Sequence, residues 1–347
     1  MKVSIIIKAL NEEANIARTI ESCIAALESI DGEVVLADSL STDRTVEIAS
    51  AYPVKIVQLA SPASRSCGAA PQLGYQYCSG EFIYLIDGDM VLHRDFLLAA
   101  LRVLEDDETL AGVGGIVRDM NVENLEFKSR AARVKKDLQP GEVDRLEGGG
   151  LYRRSAIESV TYFSDRNLHA FEELELATRL RAKGWRLVRL DQLAVDHYGY
   201  TIGAYQLLWR RMSSGYALGA GEIARATFTR SSFPEVFWKV RLLWISVLVL
   251  AWLAAIPAGY LVGSTMGSGA AVAGLIFIAP FLAMILRRRS LQLGLYSVVA
   301  WIVFTIGSLR GLLRPRIDPT GWIPSRLIQD SGSQTPAQKT SANSAAM

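Results

Sequence analysis

From Leu242 to Val262 the chain runs without a charged side chain, and this stretch limits the fold more than any other. A helix rises about 1.5 Å per residue and the hydrocarbon core of a bilayer is about 30 Å thick, so a run of this length can span it. Core helices of soluble domains are rarely so long without a charge. Two more uncharged runs follow, Ala270–Leu286 and Leu291–Leu309, with Arg287, Arg288 and Arg289 between them. The arginine triplet predicts a cytoplasmic loop and two crossings. A third crossing would leave Arg310, Arg314 and Arg316 outside, against the positive-inside tendency, so the sequence leaves two or three open.

The rest of the chain is of a different kind. From Glu235 onward there are ten Lys/Arg against three Asp/Glu, and before it twenty-seven against thirty-two, although the whole chain of 347 residues is nearly neutral at +2. We therefore expect a soluble catalytic unit over 1–234, its last part (205–234) lying at the membrane surface, a membrane domain over 235–312, and a polar, disordered tail over 313–347. No basic stripe with interleaved aromatics appears, which argues against nucleic acid as a partner. Cys23, Cys67 and Cys78 are odd in number and lack metal-ligand spacing, as suits a reducing compartment. Val3–Ile7 is too short for a signal segment and is soon followed by Glu12 and Glu13, so it reads as a first strand.

Short runs rich in β-branched residues recur at Val3–Ile7, Val34–Ala37, Val54–Leu59 and Phe82–Ile86, separated by stretches with helical spacing. Alternating strand and helix predicts an α/β fold with a Rossmann-like, mostly parallel sheet covered on both faces. The first helix is expected from Glu13 to about Leu27, the second after Ser41-Thr42-Asp43. Beyond Asp89 we expect a strand near Gly112–Val117, a polar helix near Leu125–Leu138, a helix from Glu172 to Lys183 and a strand over Arg186–Leu190.

Ligands of open α/β sheets bind beyond the carboxyl ends of the strands. Those positions are polar here: Lys8 to Glu13, Asp38-Ser39, and Asp87-Gly88-Asp89. Carboxylates crowded together repel unless a cation or hydrogen-bond donors offset them. In Asp87-Gly88-Asp89 a tight turn lets one carboxylate reach a ribose and the other a divalent ion, and hard oxygen ligands suit Mg²⁺ or Mn²⁺ bridging a diphosphate.

Four runs in order, Ser4–Ile16, Ala37–Val46, Asp87–Met90 and Glu172–Arg179, resemble family 2 glycosyltransferases, and the resemblance covers about Val3 to Tyr216. It implies the glycosyltransferase A-type fold and transfer of a sugar, with inversion, from a nucleotide-sugar donor, a UDP-sugar in the first instance. It also implies dependence on Mg²⁺ or Mn²⁺ and an acceptor hydroxyl on a lipid-linked or surface-polysaccharide glycan. The enzyme would be a multi-pass protein of the plasma (inner) membrane with its catalytic domain in the cytoplasm. Transfer to a polyprenyl phosphate, or a non-catalytic scaffold that retains nucleotide binding, are the alternatives.

Carried over by position, Leu10, Glu12 and Asp38 fall at the nucleoside, Arg65 near the diphosphate, Asp87 at ribose or sugar, and Asp89 at the metal, with His197 completing its shell. Glu173 falls where the family has an aspartate acting as general base, with Glu172 and Glu175 as alternates; all three can equally be read as a solvated helix face. Gly149 and Gly150 match an acceptor-side loop, and Arg210 and Arg211 suit either lipid headgroups or an acceptor phosphate. Two departures stand out. Lys8 and Leu10 replace a proline and an aromatic, which weakens stacking on the base, and Gln206-Leu-Leu-Trp209-Arg210 transposes the last two residues of the processive motif, pointing to transfer of a single sugar.

Overall fold

The computed structural model describes residues 1–120, 139–199, 203–263 and 265–330. The expected helix near Leu125–Leu138 and the tail from Ser331 lie outside the described residues. The strands are β1 (Val3–Ala9), β2 (Gly32–Asp38), β3 (Lys55–Leu59), β4 (Phe82–Asp87), β5 (Met90–Leu92), β6 (Leu110–Asp119), β7 (Gly141–Glu142), β8 (Gly150–Arg153), β9 (Arg186–His197) and β10 (Ser325–Gln329). They form one sheet in the order β10-β3-β2-β1-β4-β8-β6-β9-β5, with β7 beside β9.

The helices of the sheet domain are α1 (Ile16–Ala26), α2 (Thr45–Ala49), α3 (Ala69–Tyr77), α4 (Arg94–Asp106), α5 (Arg154–Ser159) and α6 (Glu172–Ala182). Alternation along β1 sends Ile5 and Ile7 into a core shared with Ile16, Ile20 and Cys23 of α1 and Phe96 of α4. Ile6 points the other way, to Leu73 of α3 and Leu176 and Leu180 of α6. Each fully buried isoleucine contributes about 1.5–3 kcal/mol relative to an exposed one, which is why the central strand is apolar on both faces.

The sheet is mixed rather than mostly parallel. β3, β2, β1 and β4 run parallel, but β8 is antiparallel to both β4 and β6, and β9 is parallel to β6 yet antiparallel to β5 and β7. The regular strand-helix alternation that gives parallel pairing stops after β4, and β8 enters antiparallel between β4 and β6.

Beyond β9 come α7 (Ala204–Ser213), α8 (Gly219–Thr227) and α9 (Phe233–Lys239). The segment expected at the membrane surface is thus divided, with Gly215 in the left-handed region (φ +83°) at the break. Trp209 of α7 is 74 % exposed, whereas α8 is buried and its Glu222 is inaccessible. Then follow α10 (Arg241–Val262), α11 (Met266–Arg288) and α12 (Leu291–Leu313), three helices long and apolar enough to cross a membrane.

Residues 314–330 correct the expectation of a disordered tail from 313. Arg316 bonds Asp165 at 2.8 Å, Ile317 exchanges two backbone bonds with the Asn167 amide, and Ile323, fully buried, does the same with Gln76. β10 then pairs antiparallel with β3. The segment bonds mostly through its backbone and its arginines, with Ile323 as its buried apolar anchor.

Glu175 of α6 is fully buried and accepts from Arg179, from Arg230 at 2.6 Å and from Tyr162 at 2.8 Å. Burial alone would raise its pKa, but Arg179 and Arg230 overcome that and hold the carboxyl below its usual range. Its contribution to stability is therefore full above the ordinary carboxylate value and is lost as the pH falls through the lowered one. Glu175→Gln, which strands two guanidinium groups, is expected to cost about 3 kcal/mol. The unfolding temperature in detergent at neutral pH should fall accordingly, and the gap to the parent should narrow in acid.

Candidate active site

Register brings the strand ends level. Lys8 of β1 lies beside Asp87 of β4, and Ala9 beside Asp38 of β2. The loops after β1 and β2 are tied to each other by side chains: Asn11, left-handed at φ +58°, accepts from the Thr42 N–H at 2.7 Å, and Thr45 Oγ1 accepts from the Glu12 N–H at 2.8 Å. Asp38 is buried, accepts from Ser41 Oγ at 2.5 Å and receives the Gln58 amide at 2.8 Å. Arg65 donates to the Ser39 carbonyl at 2.7 Å and also bonds the Leu40 carbonyl. Asp38 and Arg65 thus shape the loop after β2, their polar atoms engaged by the protein. Leu10 is half-buried directly after β1. Glu12 is pushed up to about 7 by burial and then by Asp89, against the pull of Asn15 and Arg210, so the Arg210 charge of α7 acts on the cleft.

Lys8 forms the centre. Its ammonium lies 2.9 Å from Asp87 Oδ1 and 3.3 Å from Glu172 Oε1. Burial would strip its proton, but the charges of Glu172 and Glu173 outweigh that and raise its pKa. Asp87 Oδ1 is held by Lys8 in that ion pair, whereas Ser164 Oγ is buried without a hydrogen-bond partner. Buried polar atoms of this kind are uncommon and call for a ligand or water.

Asp89 Oδ2 stands 3.4 Å from His197 Nε2, and His197 Nδ1 stands 2.7 Å from Asp119 Oδ1. The pairing of Met90 with His197 across β5 and β9 sets this arrangement. Burial would lower the imidazole pKa, but the Asp89 and Asp119 carboxylates outweigh it and raise it above the usual value. Among the described residues no three His, Cys, Asp or Glu side chains converge as a metal cluster. The donor set nonetheless fits a divalent ion that takes its other oxygens from a bound ligand: one carboxylate and one imidazole are adjacent, with Asp119 fixing the ring from behind.

Glu172 and Glu173 open α6, immediately after Phe171 in the left-handed region (φ +69°). The glutamates are no solvated helix face: Glu172 and Glu175 are buried, and Glu175 is committed to its arginines. Glu173 lines a small cleft with Glu172, Ser164, Phe163, Tyr152, Pro71, Leu85 and Leu176. Burial, and then the Glu172 charge, push its carboxyl up to about 7, while Lys8 pulls it down. Gly149 (φ +97°) crosses so close to β4 that a Cβ would sit 2.2 Å from the Leu85 carbonyl oxygen, and Gly150 pairs with Leu85 in the sheet. Both glycines therefore serve close strand packing beside the cleft. The Arg211 guanidinium lies over the Tyr216 ring at 5.1 Å.

Residues 4–161 match the family model described as glycosyl transferase family 2. That stretch of the chain is thus similar to glycosyl transferase family 2. The chain is 28 % identical over 173 residues to a dolichol-phosphate mannosyltransferase of Pyrococcus furiosus, covering 46 % of this chain and 48 % of the relative. It is 33 % identical over 114 residues to the low-salt glycan biosynthesis hexosyltransferase Agl6 of Haloferax volcanii, covering 32 % of this chain and 27 % of the relative. The chain thus spans half or less of the length of these relatives. Its fold is that of the mannosyltransferase PcManGT from Pyrobaculum calidifontis, solved in complex with GDP-Man and Mn²⁺, at a TM-score of 0.59 and 19 % identity over 89 % of this chain and 87 % of the other.

Lys8, Asp119 and Ser164 were not among the expected site residues. Asp119 is reachable from sequence only by extending the last strand from Leu190 to His197, which places it opposite the histidine; Ser164 carries no signal at all. Lys8→Met should move the protonation midpoint of Glu173 above about 7, read from its carboxyl C=O stretch by difference infrared spectroscopy against Glu173→Gln; an unmoved midpoint would separate Lys8 from this carboxylate.

Proposed function

We propose that the protein transfers a single sugar from a nucleotide-sugar donor to a hydroxyl of a lipid-linked or surface glycan, with inversion and with a divalent cation. The observation that carries this reading is Glu173, a carboxylate that lines a small cleft with Ser164 at the head of α6 and whose pKa is pushed up to about 7, where a general base is most effective. Glu173 takes the proton of the acceptor hydroxyl as its oxygen forms a bond to the anomeric carbon. The bond from that carbon to the diphosphate oxygen breaks, and the nucleoside diphosphate leaves with the electron pair. One displacement inverts the configuration. A divalent cation, when bound at Asp89 and His197, supplies charge to the departing diphosphate.

The surroundings support the same assignment. The Lys8 ammonium offsets part of the negative charge of Asp87 and Glu172, which would otherwise repel an anionic donor. Ser164 Oγ, which lines the cleft with Glu173, is a polar atom ready for a sugar hydroxyl. The family's usual aspartate is one methylene shorter than Glu173, and the left-handed Phe171 just before α6 resets where this helix begins. A second reading, transfer to a polyprenyl phosphate, draws on the dolichol-phosphate relative; an acceptor already anionic needs no base.

With detergent-solubilised protein and a panel including GDP- and UDP-sugars, one donor should turn over with Mn²⁺ or Mg²⁺ and stop with chelator. Asp89→Ala should abolish the metal-stimulated rate; full metal-free activity in that variant would exclude the proposed cation site. kcat/KM should rise with pH and level off above about 7, where Glu173 loses its proton. Glu173→Gln should lose about 10²–10⁴-fold and the pH dependence with it, whereas a mild effect favours the phosphate acceptor.

A further inference from the structure

The last apolar helix does not have the path that its composition allows. α12 is 23 residues long with a mean hydropathy of 1.6 over its best window, enough to cross a membrane. A helix of that length measures about 34 Å, more than the hydrocarbon core, so a crossing would place its two ends on opposite sides. Both ends nevertheless stand on the catalytic domain. Near its start, the Tyr296 hydroxyl bonds the Ala204 carbonyl of α7 at 3.4 Å, and its ring meets Tyr205 edge-on at 5.1 Å. In its second half Phe304 packs with Leu208 and Ala217. Gly307 lies so close to Ala217, and Gly311 to Leu218, that an added Cβ would stand 2.4 and 2.1 Å from their carbonyl oxygens. Directly after its end Arg314 bonds Glu222 at 2.9 Å, and β10 joins the sheet.

The preceding pair behaves differently. α10 and α11 form a hairpin held at its far end by Gly259 against Val272 and Ile276 and by the Trp252 indole bonded to the Ile276 carbonyl at 2.9 Å. α12 meets this hairpin at its base: Gly294 lies against Ile285, near the end of α11, and Leu242, at the start of α10, packs with Ala300 and Val303. Parity then decides the topology. Residues 240 and 314 lie on the same body, so the chain between them crosses a bilayer an even number of times. The irregular segment 314–330 cannot lie in hydrocarbon, where its backbone groups would find no partners.

We infer that the chain crosses the membrane twice, through the α10–α11 hairpin, and that α12 lies along the lipid surface of the catalytic side, its apolar stripe facing the acyl chains. Leu291, Leu295, Val299, Ile306, Leu309 and Leu313 form that stripe, all of them at least 36 % exposed, while Gly307, Ser308 and Gly311 face α8 and the short turn before it. Arg287 to Arg289, Arg310, Arg314 and Arg316 then fall on the catalytic side. Gly263, Thr265, Met266, Gly267 and Ser268, at the hairpin tip, carry no Lys or Arg, as the positive-inside tendency requires of a cytoplasmic catalytic domain. The inference goes beyond the proposed chemistry and does not depend on it.

The test is accessibility in the full-length protein in intact cells, with a membrane-impermeant maleimide before and after permeabilisation, and the parent chain as background. Thr265→Cys should react before permeabilisation and gain nothing from it; Asp330→Cys should react only after it. Reaction of Asp330→Cys in intact cells would show an odd number of crossings and overturn the proposal, as would protection of Thr265→Cys. Gln58→Cys with Arg326→Cys, paired in register, should form a disulfide on oxidation of native membranes, read as a shift in gel mobility, and its failure to form would overturn the return of the chain to the sheet.

Discussion

A lysine ammonium enclosed between carboxylates governs the centre of this molecule. Removing such a charge from water is costly unless close partners of opposite sign repay it. Lys8 finds them on two elements far apart in sequence, Asp87 at the end of β4 and Glu172 at the head of α6. The ends of β1 and β4 and the helix that carries Glu173 are thereby fixed relative to each other. A proline at this position would shape the turn but could not hold these two halves together.

The same economy of charge recurs around the cleft. Glu175 turns its carboxylate away from the cleft, into the arginines of α6 and of the loop before α9, so that of three neighbouring glutamates one is structural, one neutralises Lys8 and one is left near its midpoint. Asp196, next to His197, is likewise spoken for by Arg118 and His93. A run of acids that looks uniform in the sequence is sorted by its surroundings into separate tasks.

Much of this arrangement was legible beforehand. Hydrophobic alternation locates β1, β2, β3 and β4 within a residue or two, because strands buried on both faces are written as unbroken β-branched runs. The acids that end them could be named because position at a strand end is itself a chemical statement. What stayed hidden depended on contacts between distant residues. Leu110–Asp119 and Arg186–His197 are longer than their apolar cores because pairing with each other, not hydrophobicity, carries them on. The use of Asp38 and Arg65 within the loops, the pairing of Lys8 with Asp87 and Glu172 and the ordered course of 314–330 rest on partners on other elements, from 3 to more than a hundred residues away, and leave no periodic trace.

That last segment has a consequence for how the molecule comes into being. β3 would be the outer edge of the sheet, with a row of unpaired backbone groups able to recruit another chain, were it not covered by β10. The covering strand lies beyond α10, α11 and α12, so a ribosome releases it only after all three helices have been made. Until then the nascent domain carries a bare edge, and the loop of Asp165 and Asn167, which leads toward Glu173, lacks the anchors that Arg316 and Ile317 supply. Completion of the site is therefore a late event in synthesis, and a fragment cut before the apolar helices would keep every residue of the cleft while lacking the strand that closes its sheet.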